Sequence, residues 1–579
     1  MLKLFKYLKP YIPHIILMLV LTYIQVMTTL ALPDYMAKIV NEGIVLENEK
    51  LILETGISML LVTGLGALCT VVISYLSARI GNGFSRKLRE DVFSKVSRFS
   101  LGEMNKFSIA SLITRTTNDI QQVQMVIIML FRMVMSAPIM GIGAVIKAYN
   151  TAPSMTWIMG VAVAILLTVI IIVFAIATPK FKLVQKLVDK LNLVTRQNLT
   201  GLRVIRAFNT EKYEEKRFDE ANRDLTSINL FLNRVMVMMQ PIMMLLLNLT
   251  MISVIWVGAH LVNSNDLQIG DMMAFMQYAM QTIASFLMVS MIFILIPRAS
   301  VSGQRIVEVL DEQLSIRDPK ESKKSTKKEK GVLTFDNVTF KYPDADVPIL
   351  HNISFTAKAG ETTAIIGGTG SGKSTVINLI PRLFDVTSGQ ILIDGVDIRD
   401  MKQKELRGKI GYIPQKGVLF SGTIESNIKY GQPNATKKVV KKAAQIAQAS
   451  EFIDKLEEGY KAPIAQEGTN VSGGQKQRVS IARAIVRNPE IYIFDDSFSA
   501  LDFKTDAKLR KELKSVTKNS IVIVVAQRIG TILDAEQIIV LDEGKIVGIG
   551  KHEQLMKTCE IYKEIALSQL SRKELGNGE

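Results

Sequence analysis

Six apolar runs in the first half of the chain, at residues 11–32, 56–77, 126–149, 155–177, 235–262 and 272–297, constrain its fold more than any other feature. A helix needs ~20 predominantly apolar residues to cross the hydrocarbon core of a bilayer. Within lipid, only helices and closed barrels satisfy their own backbone polar groups. Six such runs are hard to bury in one soluble core, so they predict six membrane helices. The first run follows Lys3, Lys6 and Lys9, and Leu32-Pro33 leads into Asp34-Tyr35-Met36 where a leader peptide would need small residues for cleavage. That helix is expected to be retained.

Basic residues set the orientation. The segment between the first two runs is acidic, with Asp34, Glu42, Glu47, Glu49 and Glu54 against Lys38 and Lys50, and the short segments at 150–153 and 263–271 have no basic residue. The segments after the second and fourth runs are long and basic, carrying Arg79, Arg86, Lys87, Arg89, Lys95, Arg98, Lys106 and Arg115, then Lys180 through Arg234. Loops therefore alternate between a basic cytoplasmic side and a poorly basic outer side. This reading makes the chain an integral, multi-pass protein of the cytoplasmic membrane with both termini inside. The two long inner segments keep helical periodicity, with Lys180, Lys182, Lys186 and Lys190 on one solvated face, and predict helices that project below the membrane.

This arrangement accounts for a formal charge of +16 in 579 residues without nucleic acid as a partner, because no module that reads bases appears. Cys69 and Cys559 imply no disulfide framework. Inside the spans, Arg132 is expensive in lipid and must face protein or water. Gln240, Asn248, Gln277 and Gln281 either line a path or join helix to helix. The many methionines, among them Met239, Met243, Met276 and Met288, suit a flexible apolar lining.

After Pro297 an amphipathic stretch reaches Leu310, and residues 311–330 turn highly charged, a solvated linker by composition. From Gly331 to the C-terminus, strand-like and helical runs alternate as in an α/β domain. The domains expected are thus 1–310 in the membrane, 311–330 as linker, and 331–579 as a soluble domain. Within the last, Gly367-Gly368-Thr369-Gly370-Ser371-Gly372-Lys373-Ser374 fits the phosphate-binding loop G-x-x-x-x-G-K-[ST], and Thr375 continues it into an apolar helix. Glycines let backbone N–H groups face phosphate oxygens, Lys373 supplies charge, and the Ser374 hydroxyl suits Mg²⁺. Downstream, the apolar strand Ile491-Tyr492-Ile493-Phe494 ends in Asp495, a second ligand for Mg²⁺.

Between these two motifs, Val471-Ser472-Gly473-Gly474-Gln475-Lys476-Gln477-Arg478 resembles the signature of the ATP-binding cassette (ABC) family, in which Leu usually opens the motif. Serine and glycines at a helix N-terminus make an anion site. The resemblance implies that Ser472, Gly473, Gly474 and Gln475 close over the ATP held by an opposite subunit. It implies that Tyr342 stacks on adenine, that Gln415 senses both Mg²⁺ and the attacking water, and that 499–502 signals across a dimer. It also places 102–107 and 209–213 at the tips of the inner loops. Six spans followed by one cassette are similar to a half-size exporter, with ATP and Mg²⁺ as cofactors.

The chain departs from that family at two catalytic positions. Asp496 stands where active cassettes carry a glutamate as general base, which withdraws the carboxylate by ~1 Å, a displacement that can cost ~10²-fold. Gln527 replaces the switch histidine and cannot become cationic. Gln466 also replaces a glutamate upstream of the signature. Together these imply a site that binds ATP and hydrolyses it poorly, as in one subunit of heterodimeric bacterial multidrug exporters. The expected partners are a different half-transporter with intact Glu and His, the bilayer, and a hydrophobic or amphiphilic substrate. A lipid or peptide exporter, a homodimeric pump and a nucleotide-gated membrane sensor remain the competing readings.

Overall fold

A computed structural model describes residues 2–323 and 331–569, with backbone alone at Leu2, Lys182 and 289–298. The chain forms two compact units, one of residues 1–96 and 110–312, the other of 97–109 and 313–579.

The first unit is helical. Its helices are α1 (Ile12–Lys38) and α2 (Glu49–Val96), then, beyond α3 (Leu101–Phe107) of the other unit, α4 (Ile109–Thr116), α5 (Asn118–Met129), α6 (Ser136–Thr151), α7 (Thr156–Thr200), α8 (Leu202–Ala207), α9 (Glu211–Asn263) and α10 (Ile269–Asp311). Among the described residues, five helical segments are long and apolar enough to span a membrane: Lys3–Ile44, Glu49–Val96, Ile109–Thr151, Pro153–Thr200 and Glu211–Asn263. The sixth expected span, 272–297, falls within the unbroken helix α10, but its side chains from 289 onward lie outside the described residues. Leu60, Leu61, Val237 and Trp256 are each about seven-tenths exposed, which for side chains of this size fits contact with lipid.

The two long basic segments are helical, as their periodicity predicts. Helices α2, α7 and α9 run far past the apolar stretches, through 78–96, 178–200 and 211–234, and α7 continues through Pro179. Helix α7 packs along α9. Lys190 pairs with Asp224 at 2.9 Å and Lys180 lies 5.6 Å from the Phe231 ring centre, so this lysine face joins two helices as well as meeting solvent. The Lys182 side chain lies outside the described residues. Pairings between distant spans are made by buried or half-buried polar groups. The Lys147 ammonium reaches Asp34 at 2.6 Å, and the hydroxyl of the buried Tyr278 donates to the same carboxylate.

In the second unit, strands β1 (Val332–Phe340), β2 (Leu350–Lys358), β4 (Ser388–Ile393) and β5 (Val396–Asp397) form an antiparallel sheet in the order β2-β1-β4-β5. A six-stranded sheet runs β12-β11-β3-β10-β9-β6, from β3 (Thr362–Gly367), β6 (Ile410–Ile413), β9 (Ile491–Asp495), β10 (Ile521–Val525), β11 (Gln537–Asp542) and β12 (Lys545–Gly550). A small hairpin joins β7 (Gly422–Thr423) to β8 (Pro463–Ile464). All pairings in the large sheet are parallel except β11–β12. Its central strands are apolar on both faces because both are covered. Ala364, Ile366, Tyr492 and Phe494 point into one core, and Ile365, Ile491 and Ile493 into the other. Residues 313–323 are tied to this unit: the Ser315 N–H donates to Glu103 at 2.8 Å and Lys323 pairs with Asp400 at 2.8 Å. Residues 324–330 of the expected linker lie outside the described residues.

Candidate functional site

Register brings the chemistry to one edge. Val525 pairs with both Asp495 and Ile365, so β3, β9 and β10 end side by side. Ligands of parallel sheets bind beyond the carboxyl ends of the strands. The phosphate loop leaves β3 there, Asp495 and Asp496 leave β9, and Gln527, exposed, follows β10.

The loop between β3 and α11 (Lys373–Leu379) is shaped by glycine. A Cβ on Gly367 would lie 2.0 Å from the carbonyl oxygen of Leu541. Gly372 adopts φ +96° at the N-cap of α11, and a Cβ there would meet Leu350 at 2.6 Å. The first-turn N–H groups of α11 have no intrahelical partners and, with the helix dipole, favour an anion. Lys373 folds back over the loop and donates to the carbonyls of Gly367 at 2.9 Å and Gly368 at 2.6 Å, with the Ser371 hydroxyl at 3.4 Å. Burial lowers its pKa, and the charges of Asp496 and Asp495 oppose that. A phosphate group would supply the counter-charge this half-buried ammonium needs.

The Ser374 hydroxyl lies 3.3 Å from Asp495 Oδ1. Burial pushes the Asp495 carboxyl up, the Ser374 hydrogen bond resists, and Asp496 adds to the rise. Asp496 is buried at φ +45°, a region aspartate tolerates better than most residues, and its N–H is anchored on Val525 O at 2.9 Å. Gln415, just after β6, donates to Asp496 Oδ2 at 3.3 Å. Among the described residues no cluster of three or more His, Cys, Asp or Glu side chains forms a metal cage. A hydroxyl, a single carboxylate and an amide oxygen fit Mg²⁺, which keeps waters and takes its remaining ligands from nucleotide phosphates.

Tyr342 packs edge-on against Phe384, with ring centres 5.2 Å apart, and its hydroxyl is 3.1 Å from that of Thr375. The phenol is thereby fixed at the rim of the cradle. The signature forms the N-terminus of helix Gly473–Ile485. Ser472 and Gln475 make a reciprocal capping box: the Ser472 N–H donates to Gln475 Oε1 at 2.9 Å, and the Gln475 N–H to Ser472 Oγ at 3.3 Å. A Cβ on Gly473 would meet nothing within 4 Å, whereas one on Gly474 would approach the carbonyl of Ala500 at 3.2 Å. No hydrogen bond among the described residues joins Ser472–Gln475 to the phosphate loop, so the first group of site residues converges and the signature stands apart from it. Gln477 of the same helix does reach the turn before Gln415, donating to Pro414 O at 3.0 Å.

Two features went unread in the sequence. Tyr412 lies beside Asp495, and burial together with that carboxylate raises its pKa; no motif marks it. Glu103 forms a capping box on α3 with Ser100 and also accepts from Ser315. Burial would raise its carboxyl, but these hydrogen bonds outweigh burial and hold it below the usual range. The spacing Ser100-x-x-Glu103 is the signal that finds this cap. It seats α3 so that Gly102 faces Pro343 and Phe384, next to Tyr342. In the other long basic segment, the short helix is α8 at Leu202–Ala207, and 209–213 takes in a turn and the start of α9.

Comparison with known proteins agrees with this anatomy. Residues 15–286 match the ABC transporter transmembrane region and residues 350–499 the ABC transporter cassette. An uncharacterised ABC transporter ATP-binding protein of Mycobacterium tuberculosis is 40% identical over 567 residues, covering 97% of both chains. One from Bacillus subtilis is 36% identical over 572 residues, covering 98% of this chain and 99% of its own. The solved structure of a bacterial Atm1-family ABC exporter with ATP bound superposes with a TM-score of 0.79 at 27% identity, over 99% of each chain. The chain therefore belongs to the ABC transporter family, as an exporter-type transmembrane region fused to its own ATP-binding cassette.

Proposed function

We propose that this chain is one half of a heterodimeric exporter of hydrophobic and amphiphilic compounds, holding ATP and Mg²⁺ in a cradle that hydrolyses slowly. The observation that carries this reading is the contrast inside one site. Loop, lysine, hydroxyl and Asp495 are all in place, while the base position is the short Asp496, tethered to Gln415, and the switch position is Gln527. Lys373 and the first turn of α11 bind phosphate, Tyr342 orients the base, and Ser374 and Asp495 hold Mg²⁺, which when bound neutralises charge on the phosphates. Asp496 and Gln415 position water, but the carboxylate is short of the place a glutamate would reach. The signature of Ser472–Gln475 completes the nucleotide site of the partner half, where hydrolysis resets the pump.

The exposed tip around α8 supports a partner. Val204 is 60%, Phe208 73% and Tyr213 67% exposed, a group of apolar side chains that a second cassette would cover. Closure of the two cassettes on nucleotide favours the outward-open arrangement of the spans, and differential contacts in the two states supply the free energy of the switch. The basic inner segments support a cytoplasmic cassette and cytoplasmic termini.

Inside-out vesicles carrying this chain with its partner half test the reading. ATP-dependent accumulation of a fluorescent amphiphile is expected, and its loss in Lys373→Ala. A protein that binds ATP and moves no dye is a sensor, and the export reading then fails.

A further inference from the structure

A cavity of about 590 Å³ lies within the helical unit, between α1, α2, α5, α6 and α10, and it takes in the π-helical turn Leu130–Val134 that joins α5 to α6. That volume lies in the ordinary range for small-molecule sites, ~300–1,000 Å³. Thr22 and Gln25, midway along α1, place the cavity within the span. Most of its wall is apolar and methionine-rich, with Met125, Met129, Met133 and Met140 from the third span alone.

Its charge is one-sided. Arg132 is the single charged side chain among the described residues that line it, and no carboxylate does. The residue is exposed in the chain, and no hydrogen bond or ion pair of its guanidinium occurs among the described residues. A π-turn shifts side-chain direction relative to a regular helix and recurs at functional sites. Here it carries Arg132 to the cavity wall. Across the cavity, Gln281 Oε1 is buried without a hydrogen-bond partner. Of the five polar span residues singled out in the sequence, Gln240, Asn248 and Gln277 are exposed and do not line this cavity, whereas Arg132 and Gln281 do.

We infer that this cavity takes amphiphilic organic anions: an apolar body against the methionines and an acidic headgroup on Arg132, while the Gln281 oxygen accepts from a hydroxyl or amide N–H elsewhere on the ligand. The inference rests on the export reading above and narrows it to a charge class. A guanidinium on an apolar wall bonds a neutral carbonyl through one charge-assisted hydrogen bond, whereas a carboxylate adds the ion pair and a bidentate fit. A cationic ligand is repelled by the same group.

The test uses the complete transporter in proteoliposomes and a dansyl-labelled fatty acid against its uncharged methyl ester, following ATP-dependent transport. The acid is expected to show a KM at least about tenfold lower than the ester, with similar kcat, from the charged hydrogen bond. Arg132→Gln is expected to abolish that difference and Arg132→Lys to restore most of it. Equal KM values for acid and ester in the unaltered transporter overturn the inference, as does a preference for the ester, and neither measurement depends on a variant that folds. Retention of the acid preference in Arg132→Gln overturns it also. If neither probe, nor a cationic or neutral dye, is transported, the export reading itself fails. Transport of such dyes with no preference for the acid leaves export standing and removes only the anion class.

Discussion

In the cassette, residues 367–375 supply the phosphate loop, the lysine, and the serine and threonine beside it, and three parallel strands bring Asp495, Asp496 and Gln527 to the same edge. In the membrane unit, the cavity draws Gln25, Ser74, Arg132 and Gln281 from four separate helical segments, with no two in one motif. The first region is built by backbone conformation: glycines where a Cβ would strike a carbonyl or a neighbouring side chain, and a helix start aimed at an anion. The second is built by side chains converging from separate helices. A backbone-built site tolerates little change at its glycines and demands one ligand chemistry. A side-chain-built site is adjustable in what it accepts.

That contrast predicts steep losses in the cradle. Lys373→Ala in the assembled complex should weaken ATP at this cradle by about a hundredfold, since a charge-assisted hydrogen bond to phosphate is removed. Equilibrium dialysis with labelled ATP would then find about one nucleotide per complex where the unaltered protein holds two. Gly372→Ala should cost the cassette about 2 kcal/mol, because φ +96° and the contact with Leu350 are both unfavourable to a methyl group. Chemical denaturation checks it, and an unchanged midpoint would mean that the loop is less dictated by backbone geometry than its contacts imply.

A gain of function sharpens the comparison further. Asp496→Glu, made with the partner's catalytic base silenced, should raise single-turnover hydrolysis about tenfold. The full ~10²-fold of a restored carboxylate is not expected while Gln527 is still in place. The smallest effect concerns Asp495. Burial holds its pKa above the unfolded value, so its ionisation costs stability as pH rises from the ordinary carboxylate range through that raised value. Asp495→Asn should therefore raise the melting temperature without nucleotide while shrinking the extra stabilisation that Mg²⁺ gives to bound ATP. A variant less stable than the parent would contradict this.

The same contrast explains what the sequence disclosed. The glycines at 367 and 372 and the strand ending at Asp495 are local, and their residue types state their geometry. The apolar runs are local too, and the helical periodicity of the residues beyond them carries the helices on, through Pro179 in α7. The pair Lys147–Asp34 with Tyr278 joins spans more than a hundred residues apart, so no window of sequence contains it. Tyr412 beside Asp495 is hidden for the same reason. Gln281 was readable as a polar residue in a span, but its orphaned oxygen appears only when five helices are assembled. Glu103 was within reach, since the capping-box spacing sits in plain view at 100–103.

The central claim is that this chain's cradle retains ATP and seldom cleaves it, leaving turnover to a site completed by a partner. The direct measurement is steady-state ATP hydrolysis by the purified chain alone and by the chain combined with a half-transporter that carries Glu and His at the two departed positions, followed by identification of the bound nucleotide. The account predicts slow turnover alone, robust turnover in the combination, and unhydrolysed ATP recovered with this chain. Robust hydrolysis by the chain alone, with ADP in its cradle, would contradict it.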